Sequence, residues 1–186
     1  MRIRSLALAA ILALTGAAGA ATVAGVAVPE SANAGGQKLV LNGAGLRKKY
    51  GIAKVYVGAL YLPSKTGNAD AALAAGTAKV TMHFLRDVGK DKLTEAWHEG
   101  FAGNNGADVG AKHAADLERF IGFFSDVKEG ELIEVDFVPG TGVSVTIAGK
   151  ARGSVAGDDF AKAVLRIWLG PKPPSDDLKA GMLGKS

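Results

Sequence analysis

The segment NGAGLRKKYGIAKVYVGALYL, Asn42 to Leu62, places Arg47 ahead of a turn at Tyr50-Gly51 and follows it with a strand carrying Tyr56 and Tyr61. An arginine held on a sheet face is always charged and presents a rigid fork of donors, which suits a carboxylate or a developing oxyanion. The function therefore turns on whether Arg47 faces a pocket or solvent. On composition alone the Arg47-Lys48-Lys49 run reads as a solvated edge. Period-two alternation puts Val55, Val57, Ala59 and Tyr61 on one face of the strand and Tyr56, Gly58, Leu60 and Leu62 on the other.

Outward from this hairpin, Lys38–Leu41 reads as a short strand and Asn42–Gly45 as a turn. Residues 68–76 are alanine-rich and predict a short helix, and Lys79–Leu85 a strand. Leu93, Trp97 and Phe101 recur at helical spacing, and the stripe Leu117, Phe120, Ile121, Phe124 predicts one helix from about Ala107 to Phe124. Residues 132–138 and 143–148 flank Pro139-Gly140-Thr141-Gly142 as a hairpin, with a further strand at 150–155. Asp158 and Ser175 are candidate N-caps for two closing helices. Strands grouped in hairpins predict an α+β fold, an antiparallel sheet with a layer of helices on one face.

The chain has 186 residues with 48% hydrophobic and 22% charged content, ordinary for one globular domain. Residues 1–34 read as a secretory signal peptide, from a basic start (Arg2, Arg4), an apolar run (Leu6–Leu14) and small-residue cleavage patterns at Ala32-Asn33-Ala34 or Ala18-Gly19-Ala20. An uncleaved anchor is the competing reading. The domain would then span residues 35–186, be periplasmic or secreted, and have no stable membrane span once the leader is cleaved. Without the leader, Lys+Arg falls from 22 to 20 and Asp+Glu from 18 to 17, a net charge of +3. The basic residues are scattered, which speaks against a nucleic-acid face. There is no cysteine, so thiolate nucleophiles, zinc–thiolate sites and iron–sulfur clusters are excluded.

His83, His98 and His113 have no metal-binding spacing, and His83 reads as a packed or rim residue on its strand. No metal and no cofactor is expected. Gly43-Ala44-Gly45 lacks the third glycine of a dinucleotide fingerprint and reads as a turn or bulge. Trp97 and Trp168 read as core residues of amphipathic helices that could also line an apolar cavity.

Three stretches, GAGLRKKYGIAKVYVGALYLP, KVTMHFLRDVGKDKLTEAWHEGF and FAKAVLRIWLGPKPPSDDLKAGMLG, resemble the chalcone isomerase-like family in its bacterial exported branch. The resemblance covers nearly all of residues 38–184. It implies an open-faced sandwich with a ligand cleft between sheet and helices. Arg47 matches the family arginine that steadies anionic oxygen in the isomerases and grips the carboxylate in the fatty-acid-binding relatives. Tyr56 falls near a position that is a threonine in the isomerases and a tyrosine in the fatty-acid binders, and Lys92 matches an isomerase lysine.

The isomerase tyrosine after the third strand has no counterpart in Arg86–Asp91, and the isomerase asparagine has none near Ala96 or His98. Losing one preorganised donor typically costs about 10²–10³ in rate. The expected function is therefore binding of a fatty acid or similar amphipathic carboxylate without turnover, with Arg47, Tyr56, Lys92 and Trp97 as ligand-binding residues. The alternative is an intramolecular lyase acting on flavonoid-like conjugated carbonyl substrates, with Arg47 catalytic. A third reading, a protein-interaction role, predicts a solid core in place of a cavity.

Overall fold

A computed structural model describes residues 20–185. The strands are β1 (Ala20–Val23), β2 (Val26–Pro29), β3 (Ser31–Ala34), β4 (Gln37–Lys49), β5 (Ala53–Leu62), β6 (Ala78–Phe84), β7 (Leu132–Val138), β8 (Gly142–Ile147) and β9 (Lys150–Val155). The helices are α1 (Ala69–Leu73), α2 (Lys90–Asn104), α3 (Ala107–Lys112), α4 (Ala114–Ile121), α5 (Asp158–Leu169) and α6 (Asp176–Met182). Strands β3 to β9 form one 7-stranded sheet in which every strand pairs antiparallel with its neighbours in sequence, and β1 and β2 make a separate ribbon. The α+β architecture expected from the sequence is the one observed.

The helices cover one face. Period-two alternation sends Ala78, Val80, Met82 and Phe84 of β6 and Ile133, Val135 and Phe137 of β7 into a core shared with Phe120, Phe160 and Trp168. On the other face, Val57, Ala59 and Tyr61 pack in a second cluster with Val28, Ala34, Leu39 and Leu41. Strand β5 is therefore buried on both sides, which explains its nearly unbroken apolar run.

Four expectations change. Asn42–Gly45 is not a turn, because β4 runs through it as one 13-residue strand with an irregularity between Leu41 and Gly43. Helix α6 lies directly on these glycines: a Cβ on Gly43 would strike the Gly181 carbonyl, and one on Gly45 would sit 2.8 Å from the Leu178 carbonyl oxygen. Glycine here serves close helix–strand approach, not turning. The predicted 107–124 helix is broken at His113 (φ −110°, ψ 17°), whose ring packs 5.6 Å from Phe160 and whose Nδ1 lies 3.2 Å from Asp116 Oδ2.

The N-cap before α5 is Gly157 at φ 109°, while Asp158 accepts a hydrogen bond from Gly140 N at 2.8 Å and so ties the β7–β8 turn to the helix. Ser175 caps α6 as expected, accepting from Leu178 N. Finally, residues 20–34, read from sequence as the end of the leader, form three strands, and β3 pairs with β4. The basic start and apolar run of that leader lie outside the described residues.

Candidate functional site

Gly43, Gly45 and Arg47 share the helix-side face of β4 by alternation, opposite Leu60, Gly58 and Tyr56 of β5. Helix α6 covers the two glycines, and Arg47 lies one step further along β4. The pairing then slips: Arg47 faces Tyr56 and Lys48 faces Lys54, leaving Val55 as the extra residue of a bulge. The bulge interrupts strict alternation, so both Val55 and Tyr56 reach the helix-side core. The sequence reading had placed Val55 on the opposite face.

A cleft of about 590 Å³ opens here between the sheet and helices α2 and α5. Arg47, Val55, Tyr56, Met82 and Phe84 line it from the sheet, Leu93, Ala96 and Trp97 from α2, and Ile167 and Trp168 from α5. Small-molecule sites typically enclose roughly 300–1,000 Å³. The solid core predicted by a purely interaction-based role is not what is found. All four residues expected at the ligand site, Arg47, Tyr56, Lys92 and Trp97, line this one cleft.

Their positions differ. Tyr56 is buried, with its ring 5.7 Å from the Arg47 guanidinium carbon. Its hydroxyl accepts a hydrogen bond from Trp168 Nε1 at 3.2 Å. The Trp97 and Trp168 rings meet edge to face at 5.5 Å, and Trp97 also packs on Phe120 and Phe124. Lys92 is different: its side chain is exposed at the mouth and bonds Glu95 at 2.7 Å.

The polar atoms of this inner group are incompletely satisfied. Arg47 Nε and Trp97 Nε1 are buried and have no hydrogen-bond partner. The Tyr56 hydroxyl receives a bond from Trp168, but no acceptor for its own proton occurs among the described residues. Burial pushes the Tyr56 phenol above its ordinary range, against the opposing Arg47 charge and the Trp168 hydrogen bond. The hydroxyl thus stays protonated at neutral pH and keeps a proton to donate. A buried donor without a partner costs about 1–3 kcal/mol. Three such N–H and O–H groups around one cleft form a donor set with no protein acceptor.

The mouth is charged. Lys49, Arg86, Lys92 and Lys172 line it with Asp87, Glu95 and Glu99. Two of the acids are engaged. Asp87 accepts from Glu129 N and Lys128 Nζ, which lowers its pKa, and Glu95 is lowered by its bond to Lys92. Lys49, Arg86 and Lys172 form no ion pair among the described residues, so the rim keeps uncompensated positive charge.

Sequence reasoning missed Trp168 as a partner of Tyr56, along with the rim residues Arg86 and Lys172. The signal for Trp168 was its place on the apolar stripe of α5, which does not distinguish core from cavity wall. The histidines lie elsewhere. His83 is on the sheet face away from the cleft, His98 lies 3.4 Å from Glu118, and His113 is buried beside Asp116. No group of three or more metal-ligating side chains occurs among the described residues. No described helix is long and apolar enough to cross a membrane.

No curated protein sequence matches the chain. Among solved structures, a fatty-acid-binding protein of Arabidopsis thaliana matches with a TM-score of 0.66 at 18% identity, covering 86% of this chain and 92% of its own. At that identity the likeness establishes the fold. The sequence model of the chalcone isomerase-like family matches residues 20–184, and the chain belongs to that family.

Proposed function

We propose that this protein binds a fatty acid or similar amphipathic carboxylate in the cleft between sheet and helices, without turning it over. One observation carries the reading. Arg47 Nε, Trp97 Nε1 and the Tyr56 O–H are donors without protein acceptors beside an apolar cleft. A carboxylate is an acceptor-only group that answers such donors. The apolar walls answer the chain: each buried methylene contributes roughly 0.8 kcal/mol before the costs of immobilisation. Arg47 and Tyr56 then choose the head group, and Met82, Phe84, Leu93 and Trp168 hold the tail. Lys92 acts at the mouth. The solved fatty-acid-binding protein of the same fold supports this ligand class.

The reading extends to the N-terminus. A leader cut after Ala20 removes only the first residue of β1 and leaves β2 and β3 whole, whereas a cut after Ala34 would remove β3 from the sheet. Export with cleavage at the first position follows as part of the proposal, and N-terminal sequencing of the recovered protein tests it.

The ligand is tested by purifying the protein, extracting it with organic solvent and identifying released lipids by mass spectrometry. A fatty acid is expected at near-stoichiometric yield, and Arg47→Ala should lose it. Absence of any lipid, together with no uptake of added fatty acid, would end this reading. Chalcone absorbance followed in the same preparation should decay at the rate in buffer alone.

A further inference from the structure

Two large hydrophobic side chains among the described residues are exposed, Tyr50 at 86% and Ile52 at 84%. Both sit on the three-residue tip joining β4 to β5. Isolated exposed apolar residues are ordinary, but these two adjoin a cluster of charge. Lys48, Lys49 and Lys54 flank them, and the chain has no acidic residue between Glu30 and Asp70. Lys48 and Lys54 are directly paired across the hairpin. Like charges directly opposite each other on a sheet are unfavourable. None of the three lysines forms an ion pair among the described residues, and Lys49 Nζ instead lies 5.4 Å from the Tyr50 ring centroid.

On the packed helix α2, Glu95 is bonded by Lys92 and also feels the charge of Lys49. The tip is therefore an apolar point, aromatic at one position and aliphatic at the other, flanked by three lysines that form no ion pair among the described residues. That is the composition of a segment lying at the boundary between headgroups and acyl chains, with cations on the phosphates and the apolar pair below them.

The tip also belongs to the cleft. Lys49, Tyr50 and Ala53 line the same 590 Å³ cleft as Arg47. Its mouth and the exposed apolar pair thus lie on one end of the molecule. We propose that the β4–β5 tip docks on an anionic lipid surface, with Tyr50 and Ile52 entering the interface and Lys48, Lys49 and Lys54 binding the headgroup phosphates. Docking brings the cleft mouth to the depth at which an amphipathic ligand already resides, so a chain can pass between bilayer and cleft without crossing water. Only this transfer step rests on the ligand class proposed above, and docking itself does not.

The test uses Tyr50→Trp in the full chain, with vesicles of phosphatidylcholine alone or mixed with phosphatidylglycerol, and with acyl-brominated lipid as quencher. Trp97 and Trp168 line the cleft that a brominated chain would enter, so the wild-type protein is measured in parallel and its quenching subtracted. The signal comes from the tip, so an apolar N-terminal segment does not contribute to it. Quenching is expected with the anionic vesicles and should weaken with added salt. Each lysine-to-glutamine change should reduce vesicle affinity about fivefold. Tyr50→Ser with Ile52→Ser should reduce affinity of the otherwise unaltered protein at least about tenfold. These positions are exposed, so an unchanged thermal melt confirms folding. No quenching on anionic vesicles, or quenching equal on neutral vesicles and indifferent to the lysines, overturns the proposal. A protein that takes up fatty acid in solution yet fails this test would leave the cleft's function standing and remove the docking surface.

Discussion

At the residue scale, the cleft carries a stability cost that a bound acceptor would offset. Arg47 Nε is buried without a partner, so Arg47→Met removes an unsatisfied donor from the ligand-free protein. We expect that variant to unfold at the same or a higher urea concentration than wild type, and to bind fatty acid roughly 10- to 150-fold more weakly. Titration calorimetry beside urea unfolding checks both halves. A large stability loss with unchanged affinity would mean that Arg47 is a structural residue.

Tyr56→Phe has the opposite balance. It strips the acceptor from Trp168 Nε1 at a buried position and should destabilise the ligand-free protein by about 1–3 kcal/mol in urea unfolding. Tyr50 carries another strain: its φ is 54°, a left-handed value that costs a non-glycine residue about 1–2 kcal/mol. Tyr50→Asn should therefore raise the thermal midpoint while weakening vesicle docking. A residue kept against its backbone preference is expected where the side chain has work outside the fold.

At the element scale, the contact between α6 and β4 decides where the cleft ends. Gly43 and Gly45 let the helix approach until only backbone separates the two, and Gly181 returns the fit from the helix side. A Cβ on Gly181 would stand 2.5 Å from the Ala44 carbonyl oxygen and 2.6 Å from Gly45 Cα. Gly181→Ala should cost about 2–3 kcal/mol, since both opposing groups are backbone and neither can rotate away. Equilibrium unfolding measures it, and a near-neutral effect would show that α6 can lift off the sheet. Asn42 reinforces the same joint: its Nδ2 donates to Met182 O at 2.7 Å, and its Oδ1 accepts from Thr66 N at 2.7 Å.

At the scale of the whole molecule, the two faces of the sheet differ in chemistry. The helix side is mostly apolar, with the donor set at the cleft and the buried Asn104 and His113 as its polar groups. The opposite side carries Lys79 within reach of Glu134 and Asp136, beside Tyr61. Burial pushes the Tyr61 phenol up to about 12. Burial works to lower the Lys79 pKa, but its two carboxylate neighbours more than offset this and raise it. Both folded-state values lie above their unfolded ones. Each group therefore contributes stability that is present below its unfolded pKa and is lost as pH climbs through the folded one. The urea midpoint should fall between about pH 10 and pH 12. Tyr61→Phe should flatten part of that fall, and an equal decline in the variant would assign it to other groups.

The order and kind of most elements are legible in the sequence, because burial of one face imposes a period of two on strands such as β6 and β7 and a period near 3.6 on α2 and α5. The placement of Arg47 ahead of a turn is legible for the same local reason. What periodicity does not carry is register and partnership. Only the folded chain extends β4 through two glycines, because the helix that requires them lies about 135 residues further along. Only the folded chain turns Val55 with Tyr56 toward the cleft, since a bulge is a slip of one residue between two strands and leaves no mark on either alone. And only the fold brings Trp168 to the Tyr56 hydroxyl across a separation of 112 residues. The types of the groups were written locally. Their meeting at one cleft is a matter of packing between distant segments, which a one-dimensional pattern does not encode.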